Sequence, residues 1–149
     1  MLKGSCLCGA VSIEIRGAIH SARFCHCGSC RKFSGTASAA WGLAKASDLT
    51  VMDPQSSVTT YDSGGGLRAF CRSCGSPLWY EPAAVPAFRG IPLGVIDEGE
   101  VPTPMMHVWT QSKVSWAPID DALPENTVPY IAHALGLAQR GEWFLEFRN

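Results

Sequence analysis

The sequence predicts a mostly β, single-domain protein with a short C-terminal helix, organised around two metal sites. Three observations carry that prediction. Apolar residues recur in short runs, several alternating, broken by 15 glycines and 10 prolines that punctuate turns between strands. Only one stretch, near the C-terminus, keeps convincing helical spacing. Seven cysteines fall into tight groups instead of scattering through the chain. At 149 residues the chain has the size of one domain, expected to span 1–149, and can hold a core without covalent staples.

The elements follow in order. Val11, Ile13 and Ile15 alternate with Ser12, Glu14 and Arg16, which reads as a half-buried strand after the first cysteines. Gly28 to Ser34 is a tight turn or short helix. Ala37 to Ala46, small and apolar around Trp41, reads as a buried strand, and Val58 to Tyr61 as another. Gly64-Gly65-Gly66 is a hairpin tip leading into Leu67 to Phe70. A phosphate cradle is the sharper reading of those glycines, but no Gly-Lys-Ser/Thr follows and no helix opens there. Leu78 to Tyr80, Phe88 to Val95 and Met106 to Thr110 are further short strands. Thr127 or Asn126 caps the C-terminal helix, with Pro129 in its first turn. Val128, Ile131, Leu135 and Ala138 keep its period, and Gly141 ends it. Trp143, Leu145 and Phe147 then alternate as a closing strand.

Composition narrows the function. With 46% hydrophobic and 17% charged residues, intrinsic disorder is excluded. Twelve basic against thirteen acidic side chains leave a formal charge of −1, which provides no electrostatic footprint for nucleic acid or an acidic membrane. No apolar run approaches the roughly 20 residues of a bilayer span. Met1-Leu2-Lys3-Gly4-Ser5-Cys6 opens no signal peptide. The expectation is a soluble, cytoplasmic protein.

The cysteines carry the chemistry. They fall as Cys6-x-Cys8, Cys25-x-Cys27-x-x-Cys30 and Cys71-x-x-Cys74. An odd number suits no fully paired disulfide framework, and a reducing compartment would keep thiols free. Cysteines serving only as small buried hydrophobes have no reason to group at ligand spacing, whereas a tetrahedral metal needs sulfurs that converge on one point. All-thiolate sites suit zinc or iron–sulfur clusters, and zinc is preferred because no ferredoxin-type four-cysteine run is present. One sensible division makes Cys6, Cys8, Cys71 and Cys74 a closed structural site. Cys25, Cys27 and Cys30 then form a three-ligand site with an open fourth position, the mark of catalytic zinc. Spacing also permits Cys25 and Cys27 to join Cys71 and Cys74. Under the first division, seven departing protons and two arriving dications take the formal −1 to −4, and the three-thiolate site carries −1 of its own.

Other candidates are weaker. His26, between two proposed ligands, either joins the chemistry or supports it from a neighbouring hydrogen bond. His107 reads as a packing histidine within an apolar strand, and His20 and His133 have no motif support. Arg31-Lys32 is a solvated pair or a clamp for a ligand carboxylate. Trp116 and Asp120-Asp121 read as packing and turn residues.

Gly4-Ser5-Cys6-Leu7-Cys8-Gly9-Ala10-Val11, Cys25-His26-Cys27-Gly28-Ser29-Cys30-Arg31-Lys32 with Ser34-Gly35, and Phe70-Cys71-Arg72-Ser73-Cys74-Gly75-Ser76-Pro77-Leu78 resemble signatures of the glutathione-dependent formaldehyde-activating family, which includes the centromere protein V-like proteins. The stretch from His107 through Ser112-Lys113 and Trp116 to Asp120-Asp121-Ala122-Leu123-Pro124 is similar too, so the matched core is about 4–124. The resemblance implies an Mss4-like complex β fold with two zincs per chain, a structural one on Cys6, Cys8, Cys71 and Cys74 and a catalytic or exchangeable one on Cys25, Cys27 and Cys30. It implies a carbon–sulfur lyase acting on S-hydroxymethylglutathione, formed from glutathione and formaldehyde. The expected partner is a small-molecule thiol, with no nucleic acid and no membrane; the sequence leaves the oligomeric state open. In that reaction glutathione's thiol would approach the open position, with His26, Arg31, Lys32 or Ser34 supplying a proton and Arg31 and Lys32 suited to glutathione's carboxylates. The rival readings are a zinc-stabilised binding module without turnover, and a lyase for another thiol adduct.

Overall fold

The computed structural model describes residues 1–127. The expected C-terminal helix and closing strand, with His133, lie outside the described residues. Twelve short strands and one helix fill the described chain: β1 (Leu2–Ser5), β2 (Ser12–Ile15), β3 (His20–Cys25), α1 (Gly28–Ser34), β4 (Ala39–Lys45), β5 (Leu49–Met52), β6 (Val58–Asp62), β7 (Gly66–Cys71), β8 (Pro77–Pro82), β9 (Phe88–Pro92), β10 (Ile96–Glu98), β11 (His107–Val108) and β12 (Glu125–Asn126). They form a four-stranded sheet in the order β10-β1-β2-β5 and an eight-stranded sheet in the order β12-β11-β3-β4-β9-β8-β7-β6. Pairing is antiparallel except at one edge, where β11 runs parallel to both β3 and β12.

Side-chain alternation explains the small sheet. In β2, Ile13 and Ile15 turn inward while Ser12 and Glu14 are half-exposed, the period of a strand with one buried face. β1, β5 and β10 do not announce themselves in sequence. β1 carries a single large apolar residue, Leu2, and is a strand because it pairs residue for residue with β2, Leu2 opposite Ile15 and Ser5 opposite Ser12. β4 has the opposite character. Lying inside the large sheet, it is buried over most of its length, and its small residues admit close neighbours. At Gly42 a methyl group would strike the side chain of Ile19.

The principal core joins the two sheets. Val11, just before β2, and Ile13 and Ile15 of the small sheet meet Cys71, Leu78 and Ile91 from the large one, all essentially sealed from solvent. Burying side chains of this size stabilises by about 1.5–3 kcal/mol each. A second cluster gathers Cys25, Ala39, Trp41, Met106 and Val108, with Cys27, Cys30, Phe33, Tyr80 and Trp109 packed around it.

The glycine run forms the β6–β7 turn, where the Ser63 N–H donates to the Gly66 carbonyl at 3.1 Å. Gly66, with φ +148°, approaches the Glu81 carbonyl too closely for any side chain. Two expected elements are shorter than their apolar runs. Phe88 to Val95 is a strand only to Pro92, after which Leu93–Val95 coil into a 3-10 turn. Met106 to Thr110 keeps two strand residues before Trp109 takes φ 61° and a 3-10 turn begins. Trp116 corrects an expectation: it is exposed at 73% and does not pack.

Ile91 lies in the centre of the large sheet at 0% exposure. Ile91→Ala is expected to cost about 2–5 kcal/mol, measured by urea unfolding of the metal-loaded protein.

Candidate functional site

The seven cysteines gather in two groups, Cys6, Cys8, Cys71 and Cys74 in one and Cys25, Cys27 and Cys30 in the other, with sulfurs in each group within 4.8 Å of one another. The alternative in which Cys25 and Cys27 join Cys71 and Cys74 is not the arrangement found.

The quartet sits where two hairpins end. Cys6 and Cys8 occupy the turn between β1 and β2, Cys71 is the last residue of β7, and Cys74 lies in the turn that leads on to β8. The two turns are built alike. Gly9 at φ +74° and Gly75 at φ +77° fold each chain back so that their N–H groups donate to the Cys6 and Cys71 carbonyls, at 2.9 and 2.8 Å. Only glycine takes that left-handed conformation without strain. The turns are also tied directly, by the Leu7 N–H donating to Ser76 Oγ at 2.9 Å. Cys6 and Cys8 sulfurs are 3.5 Å apart, and Cys8 and Cys71 sulfurs 3.8 Å. A tetrahedron with Zn–S bonds of ~2.3 Å has edges of ~3.8 Å. The donor set, all soft thiolates, and this spacing together fit zinc.

Ionisation is uneven without a cation. The Ser76 hydroxyl and backbone N–H hold the Cys74 thiol down to about 5. Cys8 is pushed up to about 11: the Ala10 N–H pulls it down, and the Cys6, Cys74 and Cys71 sulfurs outweigh that pull. Crowded sulfurs share few negative charges, and a dication is what lets all four ionise.

The trio follows β3. Cys25 ends that strand, buried opposite Ala39 of β4 and beside Val108 of β11. Cys27 caps α1, its Sγ accepting from the Cys30 N–H at 3.4 Å, and the helix stops at Gly35 in the left-handed conformation, φ 65°. Cys27 and Cys30 are partly exposed, so the group is reachable from outside. Hydrogen bonds from the Cys25 and Cys30 sulfurs, then from the Cys30 and Ser29 backbone, depress Cys27 to about 2, whereas its partners Cys25 and Cys30 are raised. Among the described residues no fourth His, Cys, Asp or Glu joins the trio.

Beside the trio lies a chain of buried polar groups. His26 and His107 are 3% and 5% exposed. His26 Nε2 and His107 Nδ1 are 2.8 Å apart, and His107 Nε2 lies 3.1 Å from both Asp121 carboxylate oxygens. His107 is therefore more than packing: it joins β3 to the segment before β12. Asp121 does serve a turn, accepting from the Leu123 N–H at 3.0 Å, but it also holds His107. Burial, then the His107 and Lys113 charges, lowers the His26 pKa, keeping that ring neutral. Arg31 is turned back onto the site's own backbone, its Nε donating to the His26 carbonyl at 3.0 Å, while Lys32 is exposed and Ser34 half-buried.

Arg68 escaped the sequence reading. It is 7% exposed, and its Nε and Nη1 are buried without a hydrogen-bond partner among the described residues. Its guanidinium carbon sits 5.3 Å from the Phe33 ring centroid and 4.7 Å from that of Tyr80. An arginine within the apolar run Leu67 to Phe70 was the available signal, because arginine is almost never buried without a partner.

Between the first cysteine turn and the segment after α1 runs a cleft of about 710 Å³, lined by hydroxyls of Ser5, Ser34, Thr36, Ser38 and Ser76 and by Asp97.

Comparison with known proteins shows what the chain is similar to. The family model described as "Glutathione-dependent formaldehyde-activating enzyme" matches residues 1–112. A Halomonas elongata protein, provisionally named as a glutathione-dependent formaldehyde-activating enzyme, is 28% identical over 130 residues, covering 80% of this chain and 82% of that protein. A crystal structure of a Rhodobacter sphaeroides protein, solved as a structural-genomics target, superposes with a TM-score of 0.56 at 30% identity, over 66% of this chain and 90% of that one.

Two predictions follow from the geometry. Cys71→Ser changes a fully buried member of the quartet and, if that group holds a structural zinc worth on the order of 10 kcal/mol, is expected to leave the chain largely unfolded at room temperature; Cys30→Ser is expected to keep the fold, both read by circular dichroism and thermal unfolding. His107→Ala strands the buried His26 Nε2 and is expected to cost about 1–3 kcal/mol in urea unfolding.

Proposed function

We propose that this chain, which belongs to the glutathione-dependent formaldehyde-activating enzyme family, interconverts a thiol plus formaldehyde and the S-hydroxymethyl adduct, with glutathione as the thiol. The observation that carries this reading is the three-cysteine group, partly open to solvent and without a fourth protein ligand among the described residues. Zinc is the metal that suits both donor sets. When bound at the trio it supplies Lewis acidity, which favours a thiolate over a thiol at neutral pH.

The chain's own residues do the rest. Cys25, buried at the end of β3, anchors the group, and Cys27, which caps α1, and Cys30 within it are its partly exposed members. In the forward direction the thiol sulfur bonds to the carbonyl carbon, the C=O π pair moves to oxygen, and the proton given up by the thiol ends on that oxygen. Of the chain's own groups in this segment, Arg31 is engaged with the His26 carbonyl, which leaves Lys32 and Ser34 of α1, or solvent at the partly exposed sulfurs, to carry this proton. His26 is less suited, because its Nε2 is engaged by His107 Nδ1. The Asp121–His107–His26 chain instead acts as a positioning device: it pins the peptide between Cys25 and Cys27 to β11 and fixes where the sulfurs point.

The zinc-loaded protein is expected to accelerate exchange between formaldehyde, glutathione and their adduct above the spontaneous rate, followed by exchange NMR with a protein-free control. Cys27→Ser is expected to return the rate to that control while circular dichroism stays native. No acceleration by the wild-type protein would favour a binding module without turnover.

A further inference from the structure

Arg68 presents an unmet need. The side chain is 93% buried by its 7% exposure, yet Nε and Nη1 reach no acceptor among the described residues. The two aromatic rings against it, Phe33 and Tyr80, attract the cation but offer no acceptor in the plane of its N–H groups. A buried guanidinium held this way is incomplete until an anion meets it.

Its place in the fold says where that anion comes from. Phe33 lies three residues after Cys30, one turn along α1, and meets Phe70 of β7 edge-on, the ring centroids 6.3 Å apart. Arg68 stands opposite Tyr80 in the β7–β8 pairing. Phe33 and Tyr80 both pack on the cluster that contains Cys25, Cys27 and Cys30. A second buried donor without a partner among the described residues, Trp41 Nε1, belongs to that same cluster. Tyr80 is itself fixed, its hydroxyl donating to the Gly65 carbonyl at 2.7 Å, so the aromatic wall does not swing away. By contrast, the hydroxyl-lined cleft has Asp97 and no basic side chain, and Arg31 Nε is already committed to the His26 carbonyl.

We propose that Arg68 is the carboxylate-recognition residue of the thiol site, binding a carboxylate of the ligand whose sulfur reaches Cys25, Cys27 and Cys30. This rests on the function proposed above and names its substrate class: thiols bearing a carboxylate. The planar guanidinium offers paired N–H groups matched to a carboxylate. Arg68 is close enough to the trio for its charge to act on Cys30. Placing the carboxylate on a residue of the sheet, with the sulfur at the helix, orients the ligand by two points instead of one.

The test uses S-methylglutathione, whose capped sulfur has no thiolate to give a metal, so its binding is independent of the lyase reaction. Against zinc-loaded protein, the acid form is expected to shift the Arg68 Nε–H resonance in proton–nitrogen NMR and to bind at least tenfold more tightly than its dimethyl ester. Arg68→Met is expected to abolish that preference, Arg68→Lys to recover part of it, and zinc content by native mass spectrometry to stay constant. Equal binding of acid and ester by the wild type, no binding of the acid, or an acid preference surviving in a folded Arg68→Met would overturn the proposal. Should Arg68→Met not fold, the wild-type comparison of acid with ester and Arg68→Lys decide it.

Discussion

Four sulfurs from two distant turns meet at one point, and the architecture depends on that meeting. The β1–β2 turn belongs to the small sheet and the β7–β8 turn to the large one. Cys8 and Cys71 are 63 residues apart in sequence and 3.8 Å apart in space. Closing a loop of that length costs conformational entropy, and thiolates crowded together repel. Neither cost is met by the turns' own hydrogen bonds. A metal held by the four sulfurs would meet both and would tie together the turns on either side of the core that Val11 and Ile13 share with Cys71 and Leu78. Binding energy at such a site would be folding energy.

The trio answers a different requirement. Its cysteines are local, lying between the end of β3 and the first turn of α1, so it closes no long loop and contributes little to topology. What surrounds it is instead unusually polar for a buried place: His26 and His107 in contact, Asp121 behind them, and Arg68 clamped by aromatic rings. Burying such groups is costly. Those with partners hold strands in place, while Arg68 Nε and Nη1 have no partner among the described residues. Under the function proposed for the trio, the quartet serves the architecture and the trio the chemistry.

Much of this was legible in the sequence wherever the signal is local. Two- and three-residue cysteine spacings already define turns that converge, and Ile13 and Ile15 alternate as a half-buried strand must. Gly64 to Gly66 marks a hairpin for the same reason. Residues whose role depends on pairing partners far along the chain were not legible. β1 is a strand only because β2 lies beside it. His107 reads as packing until β11 is laid parallel to β3 and its ring meets His26, 81 positions away. Arg68 is one arginine among the 12 basic side chains until register places Tyr80 opposite it. Trp116 misled because an aromatic residue usually packs, and this one does not.

The division between the two sulfur groups is tested most directly by weighing the intact protein under non-denaturing conditions, with and without glutathione. The account predicts two zinc ions per chain, one unchanged by glutathione and the other carrying it or being released by it. A single zinc per chain that ignores glutathione, or two that respond identically, would contradict it.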